Sequence, residues 1–460
     1  MKSVSTARLP AGVQAETDYF SSLGELVIAR GTPVDQAVVD SLSDSGMAEL
    51  FVREPADADI EDILLGGPQS LDELRETGGR REQQPRERPR VLSLPAFARL
   101  KKGQAGFETL LMSNHAGALD RHMKKHGLAD EPCGPAVAYD TAALPAPPRP
   151  EKHKNEMTAE YSRIAHDVRL VLNGIVDGAR IEGDVIRNIA ESLVSTFVRD
   201  RDMLLDLSLT DPGEDIYVYT HSVNTTLLAA GIAIAYGYSR EQVVEIAMGS
   251  LLHDIGMLLV PVGIMKKQGG LTQDEWYEVQ KHPILGLHLL SRIMHLPESV
   301  KYVAYQSHER GNGKGYPKQR TTSQIHRFAK VIQVADVYEA LSSPRPYREA
   351  HIPYKSMEMV IKMTRQGLVS GEYAKALLAN TSLFPVGSLV ELSDQRRGKV
   401  VAANGSSFAK PVVSVLTDSS GALLPPGQRS IEDLSQNTQL QITRALSVEG
   451  IDRVGLLDGF

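Results

Sequence analysis

Between residues 221 and 336, five short stretches carry imidazoles and carboxylates in settings that packing alone does not explain. His253 and Asp254 stand side by side at the end of an apolar run, in Ser250-Leu251-Leu252-His253-Asp254-Ile255-Gly256. Adjacent helical residues point about 100° apart, so the pair can flank one point without sharing a stripe. A buried carboxylate must be paired or metal-bound. His221 lies in an Ala- and Leu-rich segment, His282 precedes Pro283, His308 and Glu309 precede a Gly-rich loop, and Asp336 interrupts the nearly apolar Val331-Ile332-Gln333-Val334-Ala335. Taken singly, each has an ordinary explanation. A lone helical His is more often a hydrogen-bonded core or surface residue, and Asp336 would cap a helix or pair with an Arg. Together they make a donor set for Zn, Fe or Mn. A carboxylate between two imidazole sets can bridge two ions, and water held there becomes a nucleophile near neutral pH. The chemistry implied is metal-dependent phosphoester hydrolysis.

Such a set needs helices to hold it, and the pattern supplies them. From Glu156 onward apolar residues recur at helical spacing: Ile164, Val168, Val171 and Ile175, then Ile186, Ile189, Leu193 and Phe197. Further helices are expected between Tyr217 and Tyr236, Glu241 and His253, and Ser299 and His308. From Phe384 the texture changes to short strand-like runs, Ser388 to Leu392, Lys399 to Val401 and Pro411 to Leu416, separated by Gly and Asn turns. The expected fold is therefore multidomain α+β. It has a small α/β or β-rich module over 1–148 containing an Arg-rich segment at 78–90, a helical lead-in over 149–203, an all-α bundle over 204–382 with metals between its helices, and a strand-rich tail over 383–460. The Pro-rich run Leu144 to Pro150 marks the clearest boundary.

At 460 residues the chain is too long for one ordinary core. A net charge of −7 with both signs interspersed argues against a nucleic-acid polymer as partner. The single Cys, Cys133, excludes an internal disulfide framework. Neither a signal-peptide run nor an uncharged stretch of membrane-spanning length is found, so a cytoplasmic protein is expected.

The motifs resemble the HD-GYP family, the branch of HD phosphohydrolases that acts on cyclic di-GMP. The likeness runs from about Asp206 to Ala350, through Leu252-His253-Asp254-Ile255-Gly256, Gly313-Lys314-Gly315-Tyr316-Pro317, Ala335-Asp336-Val337-Tyr338-Glu339-Ala340-Leu341 and Arg345-Pro346-Tyr347-Arg348. It implies a central HD bundle and a phosphodiesterase that opens cyclic di-GMP with metal-activated hydroxide. The metal ligands would be His221, His253, Asp254, His282, His308 and Asp336, with Asp254 bridging. Tyr316 would sit beside the substrate, and Arg345 and Arg348 would meet its phosphates, as guanidinium geometry suits. The ions would be iron or manganese, one or two in number. A second copy of the chain and a signalling protein are further expected partners.

Three positions depart from the family pattern. Ser307 stands where a second consecutive His is usual, which weakens metal loading. Met257 stands where a Lys usually neutralises phosphate, and methionine can neither donate nor carry charge. Tyr217 stands where members with a third ion place a carboxylate, so two ions at most are expected. Substrate binding should suffer less than turnover. The alternatives are a degenerate domain serving as a cyclic di-GMP receptor or protein-interaction module, and an HD phosphohydrolase acting on another nucleotide.

Overall fold

The protein's structure, a computed structural model, describes residues 2–5, 13–14, 19–20, 26–28, 33–34, 49–52, 102–112, 114–126, 135–137, 149–208, 217–267, 269–343, 350–404, 407–437 and 439–446. The chain divides into two compact units, Met1–Lys101 with Asp177–Ile181, and Lys102–Val176 with Glu182–Phe460. The first holds β1 (Lys2–Ser5), β2 (Val13–Gln14), β3 (Tyr19–Phe20), β4 (Leu26–Ile28), β5 (Pro33–Val34) and β6 (Glu49–Val52). These form an antiparallel sheet of order β1-β6-β3-β4 and a separate β2-β5 pair. The Arg-rich segment at 78–90 lies outside the described residues, as does most of the Pro-rich run.

The second unit is mostly helical. In order come α1 (Gly103–Leu111), α2 (Asn114–His126), α3 (Glu151–Val176), α4 (Gly183–Arg199), α5 (Arg201–Leu207), α6 (Tyr217–Tyr236) and α7 (Arg240–Leu252). After a 3₁₀ turn at Ile255–Leu259 and one helical turn at Val262–Met265 follow α8 (Gln273–Gln280), α9 (His282–Leu290), α10 (Glu298–Gln306), α11 (Arg327–Ser342), α12 (Pro353–Arg365) and α13 (Gly371–Thr381). The outer helices are amphipathic. On α4, Val185, Ile186, Ile189, Ala190, Leu193, Val194 and Phe197 recur every three or four residues and are all buried. The inner helices are buried on nearly every side: α7 is buried from Gln242 to Leu252 at every position but the half-buried Glu245. The stretch Arg240–Leu259 has a mean hydropathy of 1.3, in the range of a membrane span, but 72% of it is buried inside the protein, as befits a core helix.

The start of α5 is tied to the end of the Pro-rich run. Asp200 accepts from Met203 N at 3.2 Å as the helix cap and from Arg149 Nη2 at 2.8 Å, with His153 Nε2 2.9 Å away.

The C-terminal part is an antiparallel five-stranded sheet of β7 (Leu389–Leu392), β8 (Arg397–Ala402), β9 (Val412–Val415), β10 (Ile431–Asp433) and β11 (Ile442–Leu446), in the order β10-β9-β8-β7-β11. Burial alternates along β8, as a half-buried strand requires. Val390, Leu392, Val400, Val413, Val415, Leu434 and Leu440 form its core. Lys399 reaches Asp206 on α5 at 2.9 Å.

Candidate metal centre

Five elements bring the site together. α6 carries His221 in its second turn. α7 ends at Leu252, His253 is its C-cap, and Asp254 leaves helical geometry (φ −107°, ψ 13°) to begin the 3₁₀ turn. His282 opens α9, where Pro283 is tolerated because the first helical N–H groups have no intrahelical partner. α10 ends at Gln306, Ser307 caps it and His308 follows. α11 carries Asp336.

Four imidazoles converge on Asp254. Oδ1 lies 2.9 Å from His308 Nε2, 3.2 Å from His282 Nε2 and 3.5 Å from His253 Nε2, and Oδ2 lies 3.7 Å from His221 Nε2. Asp336 closes the other side, 3.5 Å from His221 Nε2 and 3.7 Å from His308 Nδ1. Donor atoms of His221, His253 and Asp336 lie within 4.8 Å of one another, and so do those of His253, Asp254 and His308.

Backbone carbonyls set the rings. His253 Nδ1–H donates to Ser250 O at 2.7 Å, and His282 Nδ1–H donates to Val279 O at 2.8 Å. In the neutral rings this leaves both Nε2 lone pairs facing Asp254. Both Nε2 atoms are buried without a hydrogen-bond partner. Lone pairs aimed at a carboxylate suit a cation between them far better than a metal-free packing arrangement. The residues present therefore fit a divalent ion.

The electrostatics agree. Burial favours the neutral acid at Asp254, yet His253, His282 and His308 outweigh it and hold the carboxyl well below its usual range. Asp336 is likewise lowered against its burial, chiefly by His221. Burial, aided by neighbouring His282, lowers His308 to about 4. Burial opposes charge on His221, but the Glu339 carboxylate against its Nδ1 prevails and raises it to about 10. Glu339, three residues after Asp336 and so on the same face of α11, was not singled out from sequence. That spacing is the signal that could have found it.

The Gly-Tyr-Pro loop is held from two directions. Tyr316 N donates to His308 O at 3.0 Å, and the Tyr316 ring stacks on His308 with centroids 5.1 Å apart and planes 6° apart. A Cβ on Gly315 would lie 2.2 Å from Arg310 N, so only glycine permits the approach. Buried Glu309 accepts from Lys318 N and Arg320 N, each at 2.7 Å. From outside, Lys318 Nζ donates to Leu111 O at 3.1 Å and Arg320 pairs with Asp120 on α2. Sequence reasoning missed this brace, which joins residues about two hundred positions apart.

The structure thus brings together all six candidate ligands and Tyr316. Arg345 and Arg348 lie outside the described residues, and so does the side chain of Tyr217. Ser307 is fully buried and its hydroxyl has no partner. Met257 is half-buried in the 3₁₀ turn.

Residues 201–370 match the model of the HD domain, and residues 389–453 match that of a KOW domain associated with the HD domain. Among curated relatives, the cyclic di-GMP phosphodiesterase PA4108 of Pseudomonas aeruginosa is 29% identical over 63% of this chain and 70% of its own length. The cyclic di-GMP phosphodiesterase response regulator RpfG of Xanthomonas campestris is 39% identical over 27% of this chain and 33% of its own. The 3'3'-cGAMP-specific phosphodiesterase 2 of Vibrio cholerae is 32% identical over 28% of this chain and 25% of its own.

Proposed function

We propose that this chain, which belongs to the HD-GYP family, hydrolyses a phosphodiester bond of cyclic di-GMP. The observation that carries the reading is the convergence of four imidazoles on Asp254, two of them with buried, unpartnered Nε2 atoms. One divalent ion would be held by His221, His253, Asp254 and Asp336, and a second by Asp254, His282 and His308, with iron or manganese favoured. Such ions supply a Lewis acid and an activated water. The chain's own groups do the rest. Asp254 is shared between the two halves of the site. Glu339 fixes His221 with Nε2 inward, and the Ser250 and Val279 carbonyls do the same for His253 and His282. Tyr316, lying flat on His308, walls the substrate side, while Arg345 and Arg348 are assigned to the phosphates.

The test is metal analysis of the purified protein followed by cyclic di-GMP hydrolysis with and without added manganese. His253→Ala and Asp254→Ala should abolish turnover. Unchanged turnover in either would defeat the proposal.

A second reading, a receptor that binds cyclic di-GMP without cleaving it, is favoured by Ser307 and Met257. The buried Ser307 hydroxyl offers no equivalent of a second imidazole. Negligible hydrolysis with manganese present, together with retained binding, would select it. Ser307→His combined with Met257→Lys should raise the rate substantially if the enzyme is merely slow. The relative specific for 3'3'-cGAMP makes that dinucleotide the first alternative substrate to assay. A cytoplasmic site of action fits a lone cysteine and a nucleotide substrate.

A further inference from the structure

The chain's one tryptophan, Trp276, stands at the rim of the site rather than in a core. Large aromatic residues are usually well buried, yet Trp276 is 40% exposed. Its indole meets Tyr316 nearly at right angles, with centroids 5.8 Å apart and planes 80° apart. Tyr316 in turn lies flat on His308. Three rings therefore run in sequence from Asp254 to solvent: His308, Tyr316, Trp276. With only this edge-on aromatic contact and 40% of its surface exposed, the indole keeps open surface toward solvent on which a flat ring could stack.

The helix that carries the ring is also braced. Trp276 sits in the first turn of α8, where Thr272 and Glu275 form a reciprocal cap: Glu275 N donates to Thr272 Oγ1 at 3.3 Å and Thr272 N donates to Glu275 Oε2 at 2.7 Å. Gly103 N, at the start of α1, donates to Glu278 Oε1 on the same helix at 2.7 Å, and Phe107 on α1 meets Tyr277 at 5.9 Å. An exposed ring on a braced helix loses little freedom when a ligand stacks on it, which is how rigid aromatics serve as anchors in recognition. A nucleotide whose phosphorus sits over Asp254 must send its base outward, and this aromatic ladder marks a path for it.

We infer that Trp276 is the stacking platform for one guanine of the cyclic dinucleotide, a specificity-determining contact outside the metal centre. The assignment rests on the functional reading above. Stacking on the indole should quench its emission, and no other tryptophan contributes. Stopped-flow mixing of the metal-loaded protein with cyclic di-GMP should give a saturable fall in tryptophan fluorescence. Its midpoint should match binding followed by calorimetry. Trp276→Ala should weaken binding about 5–150-fold, the range for losing one base–aromatic stack, and should raise KM more than it lowers kcat. Trp276→Phe should recover part of the loss. Calorimetric binding that leaves the emission unchanged, with unaltered affinity in Trp276→Ala, would overturn the assignment while leaving the phosphodiesterase reading intact. A wild-type protein that binds no cyclic di-GMP would overturn both.

Discussion

Adding one methyl group at Gly256 should disarm the site without touching any candidate ligand. Gly256 is the second residue of the 3₁₀ turn, two after Asp254, and the first turn of α9 lies directly against it. A Cβ there would be 2.0 Å from the His282 carbonyl oxygen and 2.8 Å from Gly286 N. Carbon and carbonyl oxygen do not normally approach closer than about 3.3 Å. In Gly256→Ala, either α9 or the turn must therefore retreat by roughly 1.3 Å. The obstacle is backbone, so no rotamer change relieves it. The displaced elements are those that carry His282 and Asp254, whose atoms are 3.2 Å apart. Overpacking of this kind costs about 1–3 kcal/mol of stability, which a domain of this size should survive folded. A misplacement of about 1 Å in a catalytic constellation costs on the order of 10²-fold in rate. Three measurements check the expectation: thermal melting, metal content after dialysis against manganese, and the rate of cyclic di-GMP cleavage. Melting should fall modestly, bound metal should drop by part of its full complement, and the rate should fall about a hundredfold. A variant with wild-type metal content and wild-type rate would refute the idea that close packing of this turn on α9 sets the site.

Two further perturbations probe different layers. Glu339→Gln keeps the shape of the residue but removes the charge behind His221; metal affinity, followed by competition with a chelator, should fall about 10–100-fold. Asp200→Ala should cost about 3–5 kcal/mol by leaving Arg149 without its buried partner, read as the shift in denaturant midpoint. The same group carries a pH signature. Burial raises the Asp200 pKa, but hydrogen bonding and charge from Arg149 outweigh this and lower it. Its contribution is therefore full above the unfolded-state value, about 3.9, and disappears as pH falls through the lower folded-state value. Acid unfolding of the wild type and Asp200→Ala should converge below that range.

The fold class was legible because its signals are local. Helical spacing around α4, the apolar runs within α6 and α7, and the alternating C-terminal strands each follow from neighbours within a dozen residues. The candidate ligands were legible for a different reason: His253-Asp254 and Asp336 are residue types that an apolar helix would not otherwise tolerate. Glu309 was noticed only as the companion of His308, whereas in the structure its carboxylate holds the loop through two backbone N–H groups. Glu339 looked like one more acidic residue on a helix. Asp120 and Leu111 carried no signal, since their partners Arg320 and Lys318 lie far along the chain and only folding brings them into register. Trp276 was likewise unremarkable until its place beside Tyr316 was known.

The outer grip on the Gly-Tyr-Pro loop comes from α1 and α2, which are encoded before the Pro-rich run that composition marks as the start of the helical part. A fragment trimmed at that run would retain all four candidate-ligand imidazoles while shedding the helices that steady Tyr316. Silence from such a truncation would then report a slackened loop and say nothing about whether Ser307 and Met257 have retired the chemistry. Only the untrimmed polypeptide can answer that question.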